Sequence, residues 1–239
     1  MLTQFAAVLA AEQREGARNP KLTNEIFALA RALLATNDHR GAAEVLLKGR
    51  ALTFPNNRDG AGWRAGIGFN AADALIVAGD LVAAEKLLAT LRTEIEAAFG
   101  AETPQVGQAL YRLGQITRKQ GRKEAAETLG RKAYALLSAS VDPADKPEAM
   151  EAGISLAVTL YNHDRNAEAK DVAEGVLAIG AGLANPDPTS MAAMRKLLAT
   201  IENETADVNA RLIEARQKLA EAEAAFGPAM RAFPPRWMR

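Results

Sequence analysis

The chain has 239 residues, with 29 lysines and arginines balanced by 29 aspartates and glutamates, two histidines and no cysteine. That balance leaves no global field to draw nucleic acid or an anionic membrane. The missing thiol excludes disulfides, thiolate catalysis and cysteine-bound metal, and suits a reducing cytoplasm. With 49% apolar but only 5% aromatic residues and much alanine, the composition predicts an all-α protein whose helices pack through small contacts.

The first element, MLTQFAAVLAAEQ, has no basic stretch before its apolar run and carries Glu12 soon after. It reads as an amphipathic helix over 1–18 rather than a signal peptide, and no apolar run approaches the roughly 18 residues of a membrane span. The location expected is cytoplasmic. From residue 20 onward a polar, alanine-rich phrase recurs: NDHRGAAE (37–44), AGDLVAAE (78–85), QGRKEAAE (120–127) and HDRNAEAK (163–170). Breaker-rich joints separate the copies at FPNNRDGAG (54–62), FGAETP (99–104), VDPADKP (141–147) and NPDP (185–188). Prolines in such joints can open the next helix, where an N–H is dispensable.

This punctuation predicts helix pairs over about 20–58, 63–100, 104–142 and 147–184. A further copy over 188–227 is expected because DVNARLIEARQKLAEAEAAFG (207–227) matches DLVAAEKLLATLRTEIEAAFG (80–100) in length and ending, with a turn near Ala206. Residues 228–239 form a tail. Aligned on the turn, Asp38, Gly79, Gly121 and Asp164 fall in register, followed five positions later by Ala43, Ala84, Ala126 and Ala169. Seven positions before the turn stand Ala72, Gly114 and Ala157, with Arg31 out of pattern in the first copy. Small residues facing across a turn are what two closely packed antiparallel helices need.

The triplets Ala72/Gly79/Ala84, Gly114/Gly121/Ala126 and Ala157/Asp164/Ala169 resemble the tetratricopeptide repeat, whose usual period is 34 residues. Steps near 42, with a joint such as FGAETPQVGQALYRLGQI, are similar to the kinesin-light-chain variety with its longer helices. Two departures stand out: no tryptophan near the start of the first helices, and Arg50, Leu91 and Val176 where the family's late alanine, kept at Ala133, would fall. HEAT repeats share the longer period and are the alternative; the glycine turns favour tetratricopeptide. The resemblance implies a right-handed α-solenoid whose concave side is lined by the first (A) helix of each pair. A compact chain of this kind resembles the bacterial kinesin light chains that accompany bacterial tubulins, which implies a filament partner and a membrane link.

Chemistry is hard to find. His39 and His163 fall in turns of different copies and read as solvated. Gly60, Gly62 and Ala65 satisfy G-x-G-x-x-A without the preceding strand or following acid that dinucleotide binding needs. A non-enzymatic interaction protein is expected, with no cofactor, metal, nucleic acid or small-molecule substrate. The family's groove positions carry over to Phe69, Asn70 and Asp73; to Gln108, Tyr111, Arg112, Gln115, Arg118 and Lys119; and to Glu151, Ser155, Tyr161 and Asn162. Mixed polar and aromatic groups suit holding a peptide segment.

Residues 104–141 hold seven basic side chains against Glu124 and Glu127, while 142–184 hold eight acids against three bases. The pattern has two readings: a basic patch that steers an acidic partner, or neighbouring copies that attract each other. The end of the chain also has two. Phe226, Phe233 and Trp237, interleaved with Arg231, Arg236 and Arg239, either touch anionic membrane or fold back to cap the solenoid, with Pro228, Pro234 and Pro235 forbidding a long helix there. The function expected is an adaptor that binds a protein segment or a filament such as bacterial tubulin and links it to membrane. The alternatives are a peptide-binding regulatory or chaperone-like domain and a self-assembling scaffold.

Overall fold

The computed structural model describes residues 20–51, 54 and 57–232, with side-chain environments given between residues 25 and 224. The helix expected over 1–18 lies outside them. The described residues form helices α1 (Pro20–Ala35), α2 (His39–Arg50), α3 (Arg58–Val77), α4 (Leu81–Phe99), α5 (Pro104–Lys119), α6 (Lys123–Ser138), α7 (Lys146–Tyr161), α8 (Asn166–Ala181) and α9 (Pro188–Ala232), with a single 3₁₀ turn at Pro143–Asp145 before α7. Each helix packs on the next in sequence, and A helices also touch across copies, α3 on α5 and α7 on α9. Nearest-neighbour packing of this sort makes a solenoid.

Four A-to-B turns are built alike. Asn37, Gly79, Gly121 and Asp164 adopt left-handed backbone, with φ of 59°, 82°, 78° and 58°. After each, the next N–H reaches back to a carbonyl five residues earlier: Asp38 to Leu33, Asp80 to Leu75, Arg122 to Thr117 and Arg165 to Leu160. These are Schellman closures, which satisfy carbonyls the helix would otherwise orphan. Asp38 and Asp80 then cap the B helices, accepting from Gly41 N at 2.9 Å and Ala83 N at 3.1 Å.

The turn of the first copy is therefore one residue earlier than the sequence alignment places it. Asn37, not Asp38, is the left-handed residue, because an asparagine tolerates that backbone and the aspartate is worth more as a cap. Shifted by one, the first copy becomes regular, with Ala30 and Ala42 at the small positions, 2% and 0% exposed. Arg31 was never in the pattern.

The same shift explains the departures from the late alanine. One position in each A helix, four residues before the small one, faces the late position of its B helix. The pairs are Ile26 with Gly49, Gly68 with Leu91, Leu110 with Ala133 and Gly153 with Val176. A Cβ on Gly68 would come within 2.6 Å of Leu91, one on Gly49 within 2.8 Å of Ile26, and one on Gly153 would meet Val176. Each copy thus keeps one large and one small partner and conserves core volume while exchanging which helix carries it.

Three expectations are corrected at the joints and the end. The segment 54–62 is not all joint, since α3 begins at Arg58, with Asn57 accepting from Gly60 N at 2.9 Å. The fifth copy is no helix pair. α9 runs unbroken for 45 residues through Ala206, where the turn position held by asparagine, glycine or aspartate in the other copies carries an alanine that favours helix. It also continues past Pro228, against the sequence expectation that the proline would forbid a long helix there. The solenoid end is capped by the first half of α9, whose Met191, Met194 and Ile201 are buried. Phe226 and Arg231 fall within α9, while Phe233, Arg236, Trp237 and Arg239 lie outside the described residues. Among the described residues no helix is long and apolar enough to cross a membrane.

Candidate functional site

On the A-helix face between α1, α3 and α5 lies an open groove of about 580 Å³ lined by Phe27, Trp63, Gly66, Phe69, Phe99 and Gln108, with Arg58, Asp59 and Gln105 among its polar residues. Its width comes from glycine. A Cβ on Gly66 would meet nothing within 4 Å, so the backbone of α3 leaves open space beside the indole. Trp63 stands 54% exposed, Phe69 is buried as floor, and the Arg58 guanidinium sits 5.2 Å from the Phe99 ring centre. Large rings with few polar groups give broad contact area at low rotamer cost.

Below this groove the A helices are tied together by Arg112 of α5. Its Nε and Nη2 donate to both carboxylate oxygens of Asp73 on α3 at 2.9 and 3.0 Å, its Nη1 donates to Glu148 on α7, and its guanidinium stacks 4.8 Å from the Phe69 ring centre. Burial opposes the Arg112 charge, but Asp73 and Glu148 outweigh it and hold its pKa above the ordinary value. Glu148 is raised, chiefly by burial, with Asp73 and Glu151 adding to the push against the pull of Arg112. The Tyr111 hydroxyl, donating to Glu151 at 3.4 Å, is pushed up to about 12 by burial first and that carboxylate second.

A second ionic cluster joins copies three and four. Glu127 accepts from Arg131 at 2.9 Å and from Arg165, and lies 3.1 Å from His163 Nδ1; Glu168 accepts from Arg131 at 2.7 Å and from Arg165 at 2.6 Å. Burial opposes the Glu127 charge, yet the bonds from Arg131 and His163 and the Arg165 cation hold its carboxyl below the usual range. Glu168 is lowered by Arg165 and then Arg131. His163 is thus a hydrogen-bond partner of Glu127, partly buried rather than a solvated turn residue. His39 is partly buried too, with its Nδ1 enclosed and unpartnered among the described residues.

The groove residues read from the sequence do not form one surface. Gln108 lines the aromatic groove, with Phe69 beneath it. Asp73 and Arg112 pair with each other, Arg112 also bonds Glu148, and the Tyr111 hydroxyl donates to Glu151. Arg118 and Asn162 line a smaller pocket of about 200 Å³ together with Lys123, Thr159 and His163. Asn70 donates to the Gly66 carbonyl of its own helix at 2.8 Å. Gln115 and Ser155 are partly buried and Lys119 is exposed.

Of the seven basic residues in 104–141, four are paired with acids: Arg112, Arg122 with Glu85 at 2.8 Å, Arg131, and Lys132 with Glu102 at 3.2 Å. Arg118, Lys119 and Lys123 have no acidic partner among the described residues. Sequence reasoning passed over Trp63, Phe27 and Phe99, taking the glycines around Trp63 for a joint; a tryptophan between glycines at helical spacing was the available signal.

Residues 66–139, covering most of copies two and three, match the tetratricopeptide repeat family. Among solved structures, BtubC (BKLC) from P. vanneervenii has the same fold, with a TM-score of 0.64 at 17% identity over 98% of this chain and 92% of that one. The nearly identical TPR-like repeats of a kinesin light chain from Podosopora anserina superpose with a TM-score of 0.57 at 19% identity, covering 91% of this chain and all of that one. A point variant of those repeats gives 0.56 at 20% identity, over 87% and 96%. A search of curated proteins returns no match. The chain has the fold of kinesin-light-chain-like tetratricopeptide solenoids, and tetratricopeptide sequence is identified in its middle.

Proposed function

We propose that this tetratricopeptide solenoid is a non-enzymatic adaptor that holds a protein segment in the aromatic groove between α1, α3 and α5. We further propose that the segment belongs to a bacterial tubulin cytoskeleton, which the chain links to membrane. The groove carries the reading. An exposed tryptophan, a glycine that withholds a side chain beside it, and polar residues at the rim are the anatomy of a hot spot for a peptide anchor. Helical repeats expose long surfaces that bind rather than catalyse.

The shared fold with BtubC (BKLC) supports the filament arm. The run of aromatic and arginine residues over 226–239 supports the membrane arm. The three cations without an acidic partner, Arg118, Lys119 and Lys123, are where an acidic partner segment would be steered. Co-sedimentation with polymerised bacterial tubulin and, separately, with anionic liposomes tests both arms. Pelleting with both, weaker at higher salt, is the expected result. Pelleting with the polymer alone removes the membrane link, and pelleting with neither removes both arms and leaves a binder of free peptides.

A further inference from the structure

Beyond the solenoid, α9 carries a second surface. Met191, Met194, Leu198 and Ile201 alternate by three and four, and this stripe docks the helix on α7 and α8: Met191, Met194 and Ile201 are buried, and Leu198 joins their cluster. The stripe does not stop where the solenoid does. It continues in the same register as Thr205, Val208, Leu212, Ala215, Leu219 and Ala222, ten consecutive a and d positions of one heptad pattern counted from Met191. Thr205 satisfies its hydroxyl on the Ile201 carbonyl at 2.7 Å. Every residue from 202 to 224 is exposed, including Val208 at 62%, Leu212 at 45% and Leu219 at 60%. Ile213 lies just off the seam.

We infer that residues 210–224 of α9 form an antiparallel two-helix coiled coil with the same segment of a second copy. The seam is the continuation of an interface that already buries apolar surface within the chain. Its occupant is specified by size. In an antiparallel pair each a position meets a d position of the partner, and a two-fold axis at residue 217 sets Leu212 against Ala222 and Ala215 against Leu219, so every leucine meets an alanine. A parallel pair would stack leucine on leucine and alanine on alanine, alternately too wide and too narrow.

Registers centred nearer the solenoid would drive the partner helix into α7 and α8, where Ile201 is already covered. The axis at 217 instead pairs residues 210–224 of the two copies, clear of the solenoid. Within each helix, Asp207 bonds Arg211 at 2.9 Å and Glu214 bonds Lys218 at 2.6 Å, which supports a helix outside any core. On the flanks, Arg216 and Lys218 each meet their own mate near the axis. The dimer therefore tightens as salt rises, the reverse of an ion-paired interface.

Sedimentation velocity of the full chain over a concentration series tests this. The wild type is expected to pass from one chain mass of 25.4 kDa to two, at lower concentration in higher salt, while Leu212→Glu/Leu219→Glu stays at one mass with the melting of the solenoid unchanged. Because the chain lacks cysteine, introduced cysteines are the only thiols and report the geometry directly, the salt series being read on the wild type. Lys218→Cys should crosslink to itself through a short bis-maleimide, and Leu212→Cys should crosslink to Ala222→Cys but not to itself. A single mass at every concentration, a dimer indifferent to the double glutamate, or self-crosslinking of Leu212→Cys would each overturn the inference.

Discussion

Arg112 shows how a side chain that reads as a partner contact can be structural. Flanked by Asp73 and Glu148, with its side chain 14% exposed, it holds three A helices at fixed spacing and props the Phe69 floor of the groove. Arg112→Ala should cost about 2–3 kcal/mol, because it strands two carboxylates, one of them mostly buried; urea denaturation measures it. The two kinds of glutamate here make opposite predictions with pH. Glu127 has a folded pKa below its ordinary 4.5, so it contributes stability above pH 4.5 that is lost as pH falls through the lowered value. Glu148 has a folded pKa above 4.5, so its contribution is present below 4.5 and is lost as pH rises through the raised value. In urea midpoints measured against pH, Glu127→Gln should make the acid loss shallower below pH 4.5, and Glu148→Gln should make the rise with pH steeper above it. The sequence could place Asp73 and Arg112 on the A-helix face because helical periodicity fixes the face. It could not pair them, because pairing depends on the offset between copies some 40 residues apart.

At the scale of the element, the repeat was legible because each turn needs a left-handed residue followed by small residues on the next helix, and glycine announces that at Gly79 and Gly121. Asn37 and Asp164 announce it weakly, which is why the first copy slipped by one. The exchange of large and small partners between A and B helices was invisible to a pattern that scores one helix at a time. It predicts strong coupling. Gly68→Ala should cost about 1–3 kcal/mol by forcing Leu91 aside, Leu91→Ala about 2–4 by leaving a cavity, and the double variant distinctly less than the sum, as thermal melts of the four proteins would show. Equal costs that simply add would mean the two positions do not share one volume. The fifth copy was misread for the opposite reason: its composition repeats that of α4, but nothing at Ala206 stops a helix, so length and ending matched while the turn was missing.

Across the whole molecule, opposite charge on adjacent copies holds the stack together more than it advertises to partners. Arg50 with Glu94, Arg122 with Glu85, Arg131 with Glu168 and Lys170 with Glu202 bridge successive layers, each exposed pair worth at most about 1 kcal/mol. On the proposed function, recognition falls to the aromatic groove with Arg118, Lys119 and Lys123 steering, and Gly66 gives a direct way to close the groove. A Cβ there meets nothing within 4 Å, and replacing a helical glycine by tryptophan removes a cost of about 0.5 kcal/mol, so Gly66→Trp should fold about as stably as the parent while its indole fills the groove. The decisive measurement is co-sedimentation of the parent and Gly66→Trp with polymerised bacterial tubulin. The parent should pellet with the polymer and Gly66→Trp should stay in the supernatant with an undiminished melting temperature. Equal pelleting of the two proteins, or of neither, would contradict the groove as the seat of filament binding.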